Sequence, residues 1–141
     1  MHVQRLDYSA ISVGDEIALT DIPAITRTTL ALYCGASGDH NPIHVDIDFA
    51  RKADMPDVFA HGMLSAAYLG RLLTRLAPQE DIRSISVRFT GITNVGDQPR
   101  CMGRVIEKSA ANGERLVTLS LGCQDQNGGQ KLLGEAVVVA Y

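Results

Sequence analysis

From Gly62 to Leu76 the chain carries no Asp, Glu or Pro, and Met63, Leu64, Ala66, Ala67, Tyr68, Leu69, Leu72, Leu73 and Leu76 set apolar side chains almost all round a helical wheel. A helix of that kind persists in water only when other structure encloses it. Pro78 stops it, because proline has no N–H to continue the ladder. The segment is shorter than the roughly 20 residues that span a bilayer and contains Arg71 and Arg75, so it is expected to be a buried helix and no membrane is expected as a partner.

What encloses the helix is read from the second half of the chain. Ile85, Val87 and Phe89 alternate with Ser84, Ser86 and Arg88, and Val117, Leu119 and Leu121 alternate with Thr118 and Ser120. A period of two marks strands with one buried face and one wet face. Turn signals at Gly96-Asp97, Asn112-Gly113 and Asn127-Gly128-Gly129 suit antiparallel hairpins, so residues 81–141 are expected to form a four-strand meander ending with Lys131 to Tyr141. An earlier strand over Glu16 to Leu19 adds an edge. The expected architecture is α+β, a single domain over residues 1–141 in which a sheet curls around the enclosed helix. Such a sheet leaves an unpaired edge, which predicts a homodimer.

Between the first strand and the enclosed helix, Thr28 to Ala36 predicts a short helix with Leu30, Tyr33 and Cys34 on one side, ending near Gly35 or Gly38. A second short helix is expected over Asp48 to Ala53, capped by Asp46 and stopped by Pro56. The net charge of -3 and the absence of a basic cluster interleaved with aromatics argue against nucleic acid as a partner. Arg51, Lys52, Arg71 and Arg75 are the candidates for a local phosphate-binding rim, against the blander reading as solvated helix faces. Cys34, Cys101 and Cys123 are odd in number and widely spaced, which indicates neither a disulfide framework nor a zinc site. Met1 to Ser9 lacks an apolar signal core, so the cytoplasm is the expected compartment.

Chemistry concentrates in Ala36 to Asp46, ASGDHNPIHVD, where Gly38 and Pro42 keep the chain out of regular helix. Asp39 and His44 lie five positions apart, and across a turn enforced by Asn41-Pro42 both can address one water. Histidine titrates near neutral pH, as a group that takes and returns a proton must. The bland reading is a loop whose Asp and Asn bond their own backbone. A metal reading lacks third and fourth ligands at helical spacing, so no metal and no other cofactor is expected. The second element is Ala60-His61-Gly62-Met63-Leu64, the start of the enclosed helix, where free N–H groups and a partial positive charge suit a developing oxyanion. Against that, Gly62 also serves simple close packing. His61 is read as structural, hydrogen-bonded at the helix start, and His2 and His40 as solvent-facing.

The string GDHNPIHVD followed by AHGML resembles the MaoC-like, (R)-specific enoyl-CoA hydratases and the related acyl thioester dehydratases, with similarity running from Val13-Gly14-Asp15 to Gly134-Glu135-Ala136. The resemblance implies a hot-dog fold, a long helix wrapped by an antiparallel sheet with an inserted segment holding the hydratase motif. It implies Asp39 and His44 as the catalytic pair, Asn41 orienting it, and the Gly62 N–H on the thioester oxygen. Met63 and Gly70 then fall on the substrate side. Some members of the family carry serine where this chain has Gly70, nine positions after His61, so that hydrogen bond is lost and the tunnel widened. The implied substrate is an enoyl or (3R)-3-hydroxyacyl thioester of coenzyme A or acyl carrier protein. Two rival readings stand beside it. One is a non-catalytic subunit pairing with an active paralogue as a heteromer; the other is a hot-dog thioesterase, for which the enclosed helix offers no carboxylate.

Overall fold

The computed structural model describes residues 5–141, so the expectation for His2 lies outside the described residues. Five strands, β1 (Glu16–Leu19), β2 (Ile82–Phe89), β3 (Arg100–Ala111), β4 (Glu114–Gln124) and β5 (Gln130–Ala140), form one antiparallel sheet. Among the described residues three α-helices precede β2: α1 (Arg27–Ser37), α2 (Ile47–Lys52) and α3 (Gly62–Leu76). The strand order is β1-β3-β4-β5-β2.

Two of the three turn signals make hairpins. Asn112 and Gly113 both hold positive φ, 52° and 79°, the two-residue geometry whose twist matches flanking strands, and they join β3 to β4. The Asn127-Gly128-Gly129 turn joins β4 to β5, with the Asp125 carboxylate accepting from the Asn127 and Gly129 N–H groups. The third expectation is corrected. Gly96-Asp97 lies in a crossover, because β2 pairs with β5 instead of β3, so the strands are not a sequential meander. The crossover is held by other partners: the Ile25 N–H donates to the Asp97 carbonyl and the Gly96 N–H to the Ile25 carbonyl, both at 2.8 Å.

Helix α3 lies against all five strands. Leu69, Leu72 and Leu73 pack with Leu19, Cys101, Val105, Val117, Leu119, Leu121 and Leu132 in the main core. Each fully buried Leu or Val contributes roughly 1.5–3 kcal/mol relative to exposure. Enclosure is nevertheless one-sided. Met63 is 58% exposed and Ala67 also faces outward, against the reading of a helix covered all round. The alternation of β2 likewise fails to bury its apolar face: Ile85 is 46% and Phe89 51% exposed. Of that alternating set only Val87 packs against the main core, so the face is covered in part. All three cysteines are free and buried. Among the described residues no helix is long and apolar enough to cross a membrane.

The segment between β1 and α3 packs as a second cluster, in which Ile25, Leu30, Ala50, Val58, Ala60 and Leu64 are buried together. Thr26 caps α1 by accepting from the Thr29 N–H, and Gly38 ends it in the left-handed conformation at φ 75°. Asp46 caps α2 as expected. Because Leu64 belongs to this cluster while Leu69 belongs to the main core, α3 ties the two together, and its first turn meets the Asp39 loop.

Candidate active site

Gly38 turns the chain out of α1, and the loop that follows is built by short side-chain bonds to its own backbone. Asp39 Oδ1 accepts from the Asn41 N–H at 3.2 Å, and Asn41 Oδ1 accepts from the Ile43 N–H at 3.1 Å. Asn41 thereby caps a 3-10 turn over Pro42–His44 that delivers His44 to the interior while Asp39 stays exposed. Asn41 shapes the turn joining the two groups, and its Oδ1 is committed to that turn. His40 is exposed, as expected.

His44 is 8% exposed, and its Nδ1 lies 2.7 Å from the Phe59 carbonyl oxygen. A carbonyl only accepts, so Nδ1 carries the proton and donates. In the neutral ring Nε2 is then the basic nitrogen. The Phe59 ring meets His44 edge-on at 5.2 Å between centroids. Asp39, His44 and His61 each bring a carboxylate oxygen or ring nitrogen within 4.8 Å of the others. For Asp39 and His44 that separation is one a single water can bridge.

The part of this cluster that the sequence reading assigned only a structural role is His61. It is 1% exposed and stacks on His44 with centroids 3.8 Å apart and an interplanar angle of 27°. Tyr33 meets it edge-on at 4.8 Å. Burial, and secondarily the proximity of His44, pushes the His61 imidazole below the usual histidine range, so it is held neutral. Burial, then the Asp39 charge, pushes the Tyr33 phenol up. The hint in the sequence was its place in AHGML, directly before Gly62, but nothing there pairs it with His44. The three groups make a poor metal site for a geometric reason. Imidazole lone pairs lie in the ring plane, and two stacked rings cannot aim both at one ion at the short bonds a metal requires.

Gly62 opens α3. His61 at the cap position provides no side-chain cap, and among the described residues neither the Gly62 nor the Met63 N–H has a hydrogen-bond partner. A Cβ on Gly62 would come within 2.8 Å of the Phe89 ring, so glycine permits this close approach. A cavity of about 190 Å³ adjoins it, lined by Phe59, Ala60, Gly62, Phe89 and Ile92, with Ser65 and Thr93 as its hydroxyls. A larger depression of about 380 Å³ over Met102, Arg104 and Leu133 contains no residue of the Asp39 loop. Met63 faces outward beside the site, and Gly70, two turns further along α3, has open space where a side chain would begin. Of the candidate basic residues, Arg75 is paired with Asp21 at 3.0 Å, whereas Arg51, Lys52 and Arg71 are exposed.

Fold and site together define a hot-dog protein whose inserted loop brings Asp39 and His44 beside the free N-terminus of the central helix. Residues 10–126 match the family model described as MaoC like domain. The chain belongs to the MaoC-like hydratase/dehydratase family. The R-hydratase PhaJ1 of Pseudomonas aeruginosa superposes with a TM-score of 0.84 at 29% identity, covering 98% of this chain and 87% of that one. The 3-hydroxyacyl-thioester dehydratase Z of Mycobacterium tuberculosis is 27% identical over 118 residues, 79% of this chain and 78% of that protein. The fatty acid synthase subunit beta of Aspergillus oryzae is 38% identical over 95 residues, and there the match spans 60% of this chain but only 5% of that protein.

Proposed function

We propose that the protein adds water to trans-2-enoyl thioesters, or removes it from (3R)-3-hydroxyacyl thioesters, with Asp39 and His44 as the acid–base pair. The observation that carries this reading is the His44 bond to the Phe59 carbonyl. It leaves Nε2 as the basic nitrogen of a ring that has one nitrogen within 4.8 Å of an Asp39 carboxylate oxygen. In the hydration direction a thioester carbonyl draws electrons from the double bond and leaves C3 electrophilic. Asp39 accepts a hydrogen bond from the water while His44 Nε2 takes its proton, and the oxygen bonds to C3. Charge moves to the thioester oxygen, where the Gly62 N–H at the helix start stabilises it. One such donor typically lowers the barrier by about 3–4 kcal/mol. C2 is then protonated from the pair, which restores it. Dehydration runs the same steps backward.

The carrier is coenzyme A or acyl carrier protein, since both present the same thioester arm. The working assembly is a dimer with a second copy or a close paralogue, because β2 is an unpaired edge whose Ile85 and Phe89 are half exposed, as is Met63. The reading places the protein in the cytoplasm, where Cys34, Cys101 and Cys123 stay reduced. The test is a panel of enoyl-CoA substrates of rising chain length, followed by loss of the conjugated enoyl absorbance. Release of free thiol with the double bond intact would instead indicate a thioesterase, and a purified chain with no turnover would indicate a scaffold subunit.

A further inference from the structure

Asp39 and His44 are tethered separately, Asp39 to the Asn41 N–H and His44 to the Phe59 carbonyl. One side chain meets both. The His61 ring lies against His44 at 3.8 Å, and its Nε2 is 3.2 Å from the Asp39 carbonyl oxygen. Because that oxygen only accepts, Nε2 carries the proton and donates, with Cys34 Sγ at 3.4 Å sharing the contact. Nδ1 is then an acceptor, enclosed and without a hydrogen-bond partner among the described residues. For packing alone this is a poor choice. A phenyl ring would fill the same space between Tyr33 and His44 and would leave no buried nitrogen unpaired.

We propose that His61 is a positioning residue for the acid–base pair. Its ring is the plate against which His44 lies, and its Nε2–H is the tether that fixes the Asp39 turn. Since His61 also immediately precedes Gly62, one residue sets the base, the carboxylate loop and the oxyanion donor in a common frame. The groups facing it are His44 on the stacked face, Tyr33 at the edge, Cys34 beside Nε2 and Asp39 beyond the carbonyl. The proposal rests on the reading of Asp39 and His44 as the catalytic pair.

The test compares His61→Phe and His61→Gln with wild type and with Asp39→Asn, using an enoyl-CoA substrate for kcat and KM and calorimetry for the thermal midpoint. Phenylalanine keeps the plate and loses the tether, whereas glutamine keeps a donor and loses the plate. Each is expected to lower kcat by about 10-fold to 100-fold, the scale of small misplacements in an active site, with KM changed less than about twofold. The Phe variant should melt no lower than wild type. A residue that only fills space would be fully replaced by Phe, so a Phe variant with wild-type kcat overturns the proposal. Failure of that variant to fold overturns it too, because the argument that a phenyl ring packs better there would then be wrong. An inactive wild type, or an Asp39→Asn variant with undiminished turnover, counts instead against the acid–base reading.

Discussion

Substituting His44 by Gln separates chemistry from architecture. The carboxamide N–H can still donate to the Phe59 carbonyl 2.7 Å away, so the 3-10 turn keeps its anchor. Lost are the basic ring nitrogen Nε2 and two ring contacts, the stack on His61 and the edge contact with Phe59. The ring contacts are worth about 0.5–1.5 kcal/mol each at most. Around 3 °C of melting temperature corresponds to each kcal/mol in a chain of this size, so the midpoint should fall by only several degrees. The kinetic effect is expected to be much larger. General acid–base catalysis contributes about 100-fold to 10,000-fold, which at about 1.4 kcal/mol per factor of ten is roughly 3–6 kcal/mol of barrier. Asp39→Asn should behave alike, because asparagine retains the Oδ1 that accepts from the Asn41 N–H. On the proposed mechanism both groups serve one water, so the double variant should be little worse than either single. The assay is steady-state hydration of an enoyl-CoA alongside a thermal melt. A folded His44→Gln enzyme with near wild-type kcat would refute the assignment.

Other outcomes follow from the same structure. Gly70→Leu enters open space about 12 Å along α3 from Gly62, so it should shorten the accepted acyl chain before it affects short substrates; a destabilised variant with an unchanged chain-length profile would mean that the space serves packing. Sedimentation should show a dimer, and Phe89→Glu on the half-exposed end of β2 should weaken it; a wild-type monomer at working concentration would remove the reason for the apolar edge. Because the folded state depresses the His61 pKa, the unfolded chain binds the extra proton first as pH falls. Stability should therefore drop as pH falls below about 6.5, and His61→Phe should flatten that part of the melting-temperature profile.

Much of this was legible locally. The apolar run ending at Pro78 marked α3, and the strand at Glu16–Leu19 and the Asn112-Gly113 hairpin followed from short-range patterns that chain neighbours determine. The turn that carries Asp39 and His44 was legible because Gly38, Asn41 and Pro42 act on their own backbone within a few residues, whatever the rest of the chain does. What the local patterns left open was long-range pairing. Nothing in Gly96-Asp97 distinguishes a hairpin from a crossover, and β2 reached β5 because the two strands fit in three dimensions. Alternation likewise assigns Ile85 and Phe89 an apolar face without saying whether this chain covers it. His61 shows the same division. Seventeen positions separate it from His44 in the chain, and only the packing of the inserted loop onto the start of α3 lays the two rings together. Motif spacing sets the chemistry of each group, whereas contact between groups depends on burial and on hydrogen bonds that form only when distant segments meet.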